Sequence, residues 1–123
     1  MSARALPLLL LAVACSSRPD HDPDAERFSS RGRITEVRSD ALVIFHERIP
    51  TMRTVTGKLE PMDPMAMVFA ATSSTPLSDL TAGDPIRFTF TVDYKKPPPL
   101  RLVAIEKLPA DTKLDLPAAP PAE

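Results

Sequence analysis

Methionines and one histidine are concentrated in a single stretch of this chain, residues 45–69 (FHERIPTMRTVTGKLEPMDPMAMVF). Apart from the initiator, all the methionines lie there: Met52, Met62, Met65 and Met67. Met65 and Met67 are two residues apart, so in a β-strand their thioethers leave the same face. His46, at the end of the preceding predicted strand, is placed to meet them. Thioether sulfur with one imidazole suits Cu(I) or Ag(I) better than Mg, Ca or Zn, so this stretch is a candidate soft-metal site.

Core packing is the alternative interpretation of the same methionines. Methionine fills irregular gaps in small cores, and a Met-x-Met pair alone is more often packing than a binding site. The clustering of four methionines beside a histidine is the observation that favours ligands.

Alternation of polar and apolar residues predicts the strands that must position these side chains. Five short strands are expected, at residues 32–38, 41–46, 65–70, 85–94 and 100–108. His46 shares a face with the core residues of the second strand, and Met65 and Met67 share a face of the third. Residues 50–64, where proline, glycine and charged residues interrupt the pattern, are predicted to be a loop. Five strands with one internal crossover fit an all-β fold, a small closed barrel of the OB type.

The N-terminus has the features of an export signal. Residues 1–15 (MSARALPLLLLAVAC) combine Arg4, a short leucine-rich run and small residues before Cys15. Cys15 is the one cysteine of the chain, and its lipidation, as in bacterial lipoproteins, would anchor the protein to a membrane and remove an exposed thiol. Ordinary secretory cleavage after Ala14 is the alternative. Both interpretations place the protein in the periplasm or another extracytoplasmic compartment.

Two flanking segments lack any periodic pattern. Residues 16–30, rich in Ser, Asp and Pro, are predicted to be a flexible linker. His21, among aspartates in that segment, is interpreted as part of a solvated linker. Residues 109–123 end in LPAAPPAE, which cannot form a helix or a central strand, and are predicted to be a disordered tail. The folded domain is therefore expected at residues 31–108.

Composition argues against two classes of function. With a net charge of −1, one Tyr and no Trp, the chain lacks the basic groove and stacking aromatics of a nucleic-acid binder. Its residues contain no nucleophile paired with a base, so we expect no enzyme. One alternative function remains: a membrane-anchored OB barrel that binds a protein partner and no metal. It remains because this fold by itself implies no function.

Four motifs, GRITEV, HERIP, MDPMAMVF and LSDLTAGDPIRFTF, resemble the CusF-like family of bacterial extracytoplasmic copper-binding proteins. The resemblance covers roughly residues 31–108 and implies a five-stranded OB barrel. It implies Cu(I) or Ag(I) ligands at His46, Met65 and Met67. The best-known branch caps its metal with a tryptophan; this chain has no Trp, and Met62 stands at that position as a further candidate ligand. The alternatives are Met52 as the fourth ligand, or no fourth ligand.

The expected ligand set suits transport outside the cytoplasm. A thioether needs no deprotonation to bind metal and cannot form a disulfide. Few ligands leave one edge of such a site open to a partner. We therefore expect a monomer that sequesters the metal or hands it to a copper efflux or copper-enzyme assembly protein.

Overall fold

The computed structural model describes residues 25–117, and this part of the chain contains seven β-strands. They are β1 (Arg27–Val37), β2 (Ala41–His46), β3 (Ile49–Arg53), β4 (Leu59–Met62), β5 (Ala66–Ala70), β6 (Pro85–Val92) and β7 (Leu100–Lys107). Within these residues no helix is long and apolar enough to cross a bilayer. The predicted signal with Cys15, the linker as far as residue 24 and the last six residues of the chain lie outside the described residues.

Five of the strands close into a barrel in the order β1-β2-β5-β7-β6, with β6 returning to β1. Neighbouring strands are antiparallel except β5 and β7, which meet in parallel at Ala70 and Arg101. The all-β, five-stranded closed barrel expected from the sequence is confirmed. Four of the five predicted strands begin and end within two residues of the expected positions. The exception is β1.

The barrel interior is filled by side chains from alternate positions of its strands, as the period-two pattern requires. Phe69, Phe88 and Phe90 lie at its centre, and the ring of Phe69 meets the other two edge-on at centroid distances of 5.0 Å. Such ring pairs contribute about 0.5–1.5 kcal/mol each beyond the area they bury. Aliphatic side chains including Ile34 and Leu42 complete the core.

Strand β1 begins at Arg27 rather than Gly32, so residues 27–30 belong to the barrel and not to the linker. Phe28 lies opposite Phe90 of β6, with ring centroids 6.0 Å apart. The serines at 29 and 30 give this segment the composition of a linker. The alternation of inward-facing and outward-facing side chains nevertheless begins at Phe28. Pairing with β6 holds the segment in the sheet.

Residues 50–64 do not form a loop: most of them belong to a β-hairpin of β3 and β4, and the loop prediction is wrong. The turn is closed by the N–H of Thr54 donating to the carbonyl of Lys58 at 2.8 Å, and Gly57 supplies the positive φ of 88°. Pro50 and Pro61 broke the sequence pattern. Both are exposed, and a two-stranded ribbon tolerates proline because each of its strands is an edge.

The hairpin packs onto the barrel through both apolar and polar contacts. Ile49 and Met52 are buried members of the core cluster. Arg53 forms a bidentate ion pair with Glu26 at 2.8 and 2.9 Å, and the hydroxyl of Tyr94 donates to the carbonyl of Arg53 at 3.0 Å. These contacts fix the hairpin that carries Met62.

Residues 109–117, expected to belong to a disordered tail, make contact with the barrel. The N–H of Asp115 donates to a carboxylate oxygen of Glu47 at 2.7 Å. The C-terminal segment therefore reaches the end of β2, where His46 lies.

Candidate metal centre

His46 is held in the ladder by the strands on either side of it. It lies opposite Gly32 of β1, and its N–H donates to the carbonyl of Met65 at 3.2 Å. That bond continues the β2–β5 register, in which Met67 lies opposite Ile44. Cross-strand partners share a face of a sheet, so Met67 lies on the inner face with Ile44 and His46, as the sequence predicts. Met65 precedes β5 and is exposed.

The imidazole of His46 is fully buried and has a different neighbour at each nitrogen. Nδ1 lies 2.7 Å from the carbonyl oxygen of Glu47, and Nε2 lies 3.2 Å from the Sδ of Met67. A carbonyl oxygen only accepts, so the assigned proton of a neutral ring is on Nδ1. Nε2 then presents a lone pair to a thioether sulfur that also presents lone pairs, which is the arrangement of two ligands converging on a cation.

Burial lowers the pKa of His46 below its ordinary value of 6.5, and the hydrogen bond with the carbonyl of Glu47 offsets part of this shift. Burial acts in this direction because it disfavours the charged imidazolium. The ring is therefore neutral at pH 7, with Nε2 free of a proton.

The distance between the two donor atoms fits a shared soft ion. Two ligands of one ion must lie within a few ångströms of each other, at about 3.5 Å in zinc sites with nitrogen and sulfur ligands. The observed separation of 3.2 Å needs to open by only a few tenths of an ångström, and the flexible methionine side chain allows that.

The other two candidate ligands are Met65 and Met62. Both are near His46 and Met67 in the order of the strands. Met65, 37% exposed, directly precedes β5 and accepts a hydrogen bond from the N–H of His46. Met62 ends β4 opposite Ile49, is half-buried and packs against the core cluster. Both lie where β2 and β5 pass into the hairpin.

Met52, the alternative fourth ligand, is fully buried in the core cluster. Among residues 25–117, no three His, Cys, Asp or Glu side chains converge on a position where a metal ion could bind. The candidate donors in this part of the chain are thus one imidazole and thioethers, a set suited to a soft monovalent ion.

Sequence reasoning missed the groups that surround Glu47. Arg31 forms a bidentate pair with its carboxylate, with Nε–Oε1 at 2.9 Å and Nη2–Oε2 at 2.7 Å. Burial raises the pKa of Glu47, but hydrogen bonds from Arg31 and the Asp115 N–H, with the charges of Arg31 and Arg87, outweigh it and lower the pKa. The HERIP motif contains Glu47, but no local pattern indicates its distant partners.

Residues 27–106 match the family model described as "Copper binding periplasmic protein CusF". No curated relative matches the chain.

Among solved structures, the chain is similar to apo-CusF residues 6–88 from Escherichia coli, at 20% identity over 72% of this chain and 95% of that one, with a TM-score of 0.53. It is similar to CusF-Ag(I) residues 10–88 from the same organism, at 20% identity over 71% and 98% of the two chains, with a TM-score of 0.53. It is also similar to the C-terminal domain of SilB from Cupriavidus metallidurans, at 28% identity over 72% and 98%, with a TM-score of 0.52. At 20% identity, the similarity to the two CusF structures shows that the barrel fold is shared.

The family match covers every strand of the described barrel except the last residue of β7. It includes the stretch that holds His46 and the strand methionines, which the sequence motifs also singled out. The chain belongs to the family of the copper-binding periplasmic protein CusF.

Proposed function

We propose that this protein binds one Cu(I) or Ag(I) ion outside the cytoplasm through His46, Met65 and Met67, with Met62 as a fourth ligand. The observation that carries the proposal is the 3.2 Å approach of His46 Nε2 to Met67 Sδ, with the other ring nitrogen bound to a carbonyl. The family description supports copper as the metal, and a similar solved structure contains Ag(I).

The proposed role is to sequester the ion or to hand it to a copper efflux or copper-enzyme assembly protein. Thioethers hold a soft ion at any physiological pH because they need no deprotonation. The half-exposed Met65 leaves one side of the site accessible to an acceptor. An accessible site with exchangeable ligands supports carriage of the ion rather than catalysis.

The proposed location is the periplasm, with Cys15 as a lipid anchor. The family description supports a periplasmic protein, and residues 1–15 have the composition of an export signal. The anchor follows from the position of the one cysteine at the end of that signal.

The test of the ligand set is Cu(I) affinity under reducing conditions for Met65→Leu/Met67→Leu. Leucine preserves volume and removes sulfur, so losing two ligands should weaken binding by about 100-fold or more, equivalent to about 2.7 kcal/mol. Met52→Leu is the matched control, because it removes a thioether that is buried in the core. A double variant that binds as tightly as wild type would place the site elsewhere. A wild-type protein that binds no Cu(I) would favour a protein-interaction module.

The role of Met62 is tested separately by Met62→Leu. We expect Cu(I) binding to weaken by about tenfold, or about 1.4 kcal/mol, and X-ray absorption to count one sulfur neighbour fewer. If affinity and sulfur count are both unchanged, the ion has three ligands and Met62 is a packing residue.

A further inference from the structure

Glu47, which directly follows the histidine, has every polar atom engaged. Its N–H donates to the carbonyl of Arg31 at 2.8 Å. Its carbonyl oxygen lies 2.7 Å from His46 Nδ1 and accepts from the hydroxyl of Ser30 at 3.4 Å. Both carboxylate oxygens accept from Arg31, and one also accepts from the N–H of Asp115. Few conformations of the main chain at Glu47 satisfy all these bonds together.

The carboxylate of Glu47 is held from two distant parts of the chain. Arg31 lies 16 residues earlier, on β1, and Asp115 lies 68 residues later, in the C-terminal segment. The Glu47 side chain is only 15% exposed. A bidentate arginine pair that is partly shielded from water fixes both the position and the plane of a carboxylate.

The carbonyl of Glu47 decides which nitrogen of His46 carries the proton. In a neutral imidazole one nitrogen donates and the other accepts, so a fixed acceptor at Nδ1 selects the Nδ1–H tautomer. Only that tautomer leaves a lone pair on Nε2, the nitrogen beside Met67. If the carbonyl moved, the ring could place its proton on Nε2 and lose that lone pair.

We propose that Arg31, Glu47 and the main chain of the C-terminal segment at Asp115 are positioning groups for His46. They fix the carbonyl of Glu47, which in turn keeps Nε2 free to bind the metal. The inference rests on the proposed function in that it takes His46 as a ligand. It assigns a role to residues 109–117, which otherwise have none.

Partners that orient a ligand contribute substantially to a metal site. Removing the group that holds a ligating histidine typically weakens metal binding by about 10- to 100-fold. Arg31 and Asp115 act one step further away, through Glu47. We therefore expect about three- to tenfold weaker Ag(I) binding when either is removed.

The test uses two variants of the full chain that remove these bonds from opposite sides. Arg31→Met removes the bidentate pair, and Asp115→Pro removes the N–H donor together with the Asp115 carboxylate. Arg33→Met is the control for loss of an arginine on β1, since Arg33 bonds the carbonyl of Gly83. Asp115→Ala is the control for the second variant, because it also removes the carboxylate but keeps the N–H.

The readout is the 15N spectrum of the imidazoles without metal, at about pH 8, where neutral histidine dominates. His21, the other histidine of the chain, serves as an internal reference. We expect the Nδ1–H tautomer to dominate at His46 in wild type and both controls, and mixed tautomers in Arg31→Met and Asp115→Pro. Wild-type tautomer populations in both variants would overturn the proposal, and Asp115→Pro keeps this outcome accessible because it leaves every barrel strand unchanged.

Ag(I) affinity, measured on the same proteins, separates this proposal from the metal-binding function. Weaker Ag(I) binding that follows the tautomer shift supports the positioning role. If the two variants show the tautomer shift but the wild-type protein binds no Ag(I), the metal-binding function is overturned and the control of the tautomer is established. Variants with the tautomer shift and unchanged affinity would show that the network does not serve the metal.

Discussion

At the scale of single residues, the candidate site depends on an imidazole that burial keeps neutral. The pKa of His46 is lowered by burial, with partial compensation by the Glu47 carbonyl. Near pH 6.5, His46 therefore binds more protons in the unfolded chain than in the folded chain. The contribution of this residue to the free energy of unfolding is complete above about pH 6.5 and is lost as the pH falls toward the folded-state pKa.

Copper affinity should depend on the protonation of His46. Thioethers do not titrate, so we expect Cu(I) affinity to be constant above about pH 6.5 and to fall only below the lowered pKa of His46, by up to about tenfold per pH unit. Competition with a Cu(I) chelator, corrected for the chelator's own protonation, measures this profile. An affinity that stayed constant below the pH at which the metal-free His46 becomes protonated would exclude His46 as a ligand.

At the scale of elements, Gly32 allows β1 to lie close to β2 beside the histidine. A Cβ at this position would lie 2.7 Å from Ile44 Cγ2, 2.7 Å from the carbonyl oxygen of Phe45 and 3.0 Å from the Cα of His46. Two of these three atoms belong to the main chain and cannot move without shifting β2. The position of the histidine is thus set by the absence of a side chain on the neighbouring strand.

Gly32→Ala should therefore damage both fold and site. We expect a loss of about 1–3 kcal/mol in the free energy of unfolding, as for other overpacked positions, together with weaker Cu(I) binding. Urea unfolding and the Cu(I) titration measure the two effects. Gly57→Asn is the control, since a Cβ at Gly57 meets nothing within 4 Å and asparagine tolerates a positive φ. Equal stability of the two variants would contradict this account.

Strands with one buried face could be predicted from the sequence, and the hairpin could not. Strand β6 alternates from Ile86 to Val92 because one face meets the core, so its pattern survives in the residues themselves. In the hairpin, Pro50 and Pro61 interrupt the alternation at exposed positions that tolerate them. The anchoring of Met52 in the core is a tertiary contact that no local pattern encodes.

The same distinction applies to the site. His46 and Met67 could be placed on one face by counting residues along two strands, and the structure brings them into contact. The Arg31–Glu47 pair and the bond from Asp115 join residues far apart in the chain. Their partners depend on barrel closure and on the path of the C-terminal segment, which periodicity does not specify.

At the scale of the whole molecule, the attachment of the chain is a prediction that concerns residues outside the described structure. If Cys15 is lipidated, Cys15→Ser should move the protein from the membrane fraction to the soluble fraction. The reason is that an acyl chain contributes about 0.8 kcal/mol for each buried methylene. Immunoblotting of separated fractions measures this, with Ser16→Ala as the control. A Cys15→Ser protein that stays with the membranes would rule out the lipid anchor.

The unequal exposure of the candidate ligands has a kinetic consequence. His46 is fully buried, whereas Met65 is 37% exposed. In the proposed site, an incoming acceptor would therefore meet the methionine side of the ion first. In the proposed site, the acceptor's sulfur would replace Met65 while the histidine still holds the ion. Transfer would then be an associative substitution, with a rate that rises with acceptor concentration instead of following a fixed rate of spontaneous dissociation. The ion would pass between proteins without existing as a free hydrated species.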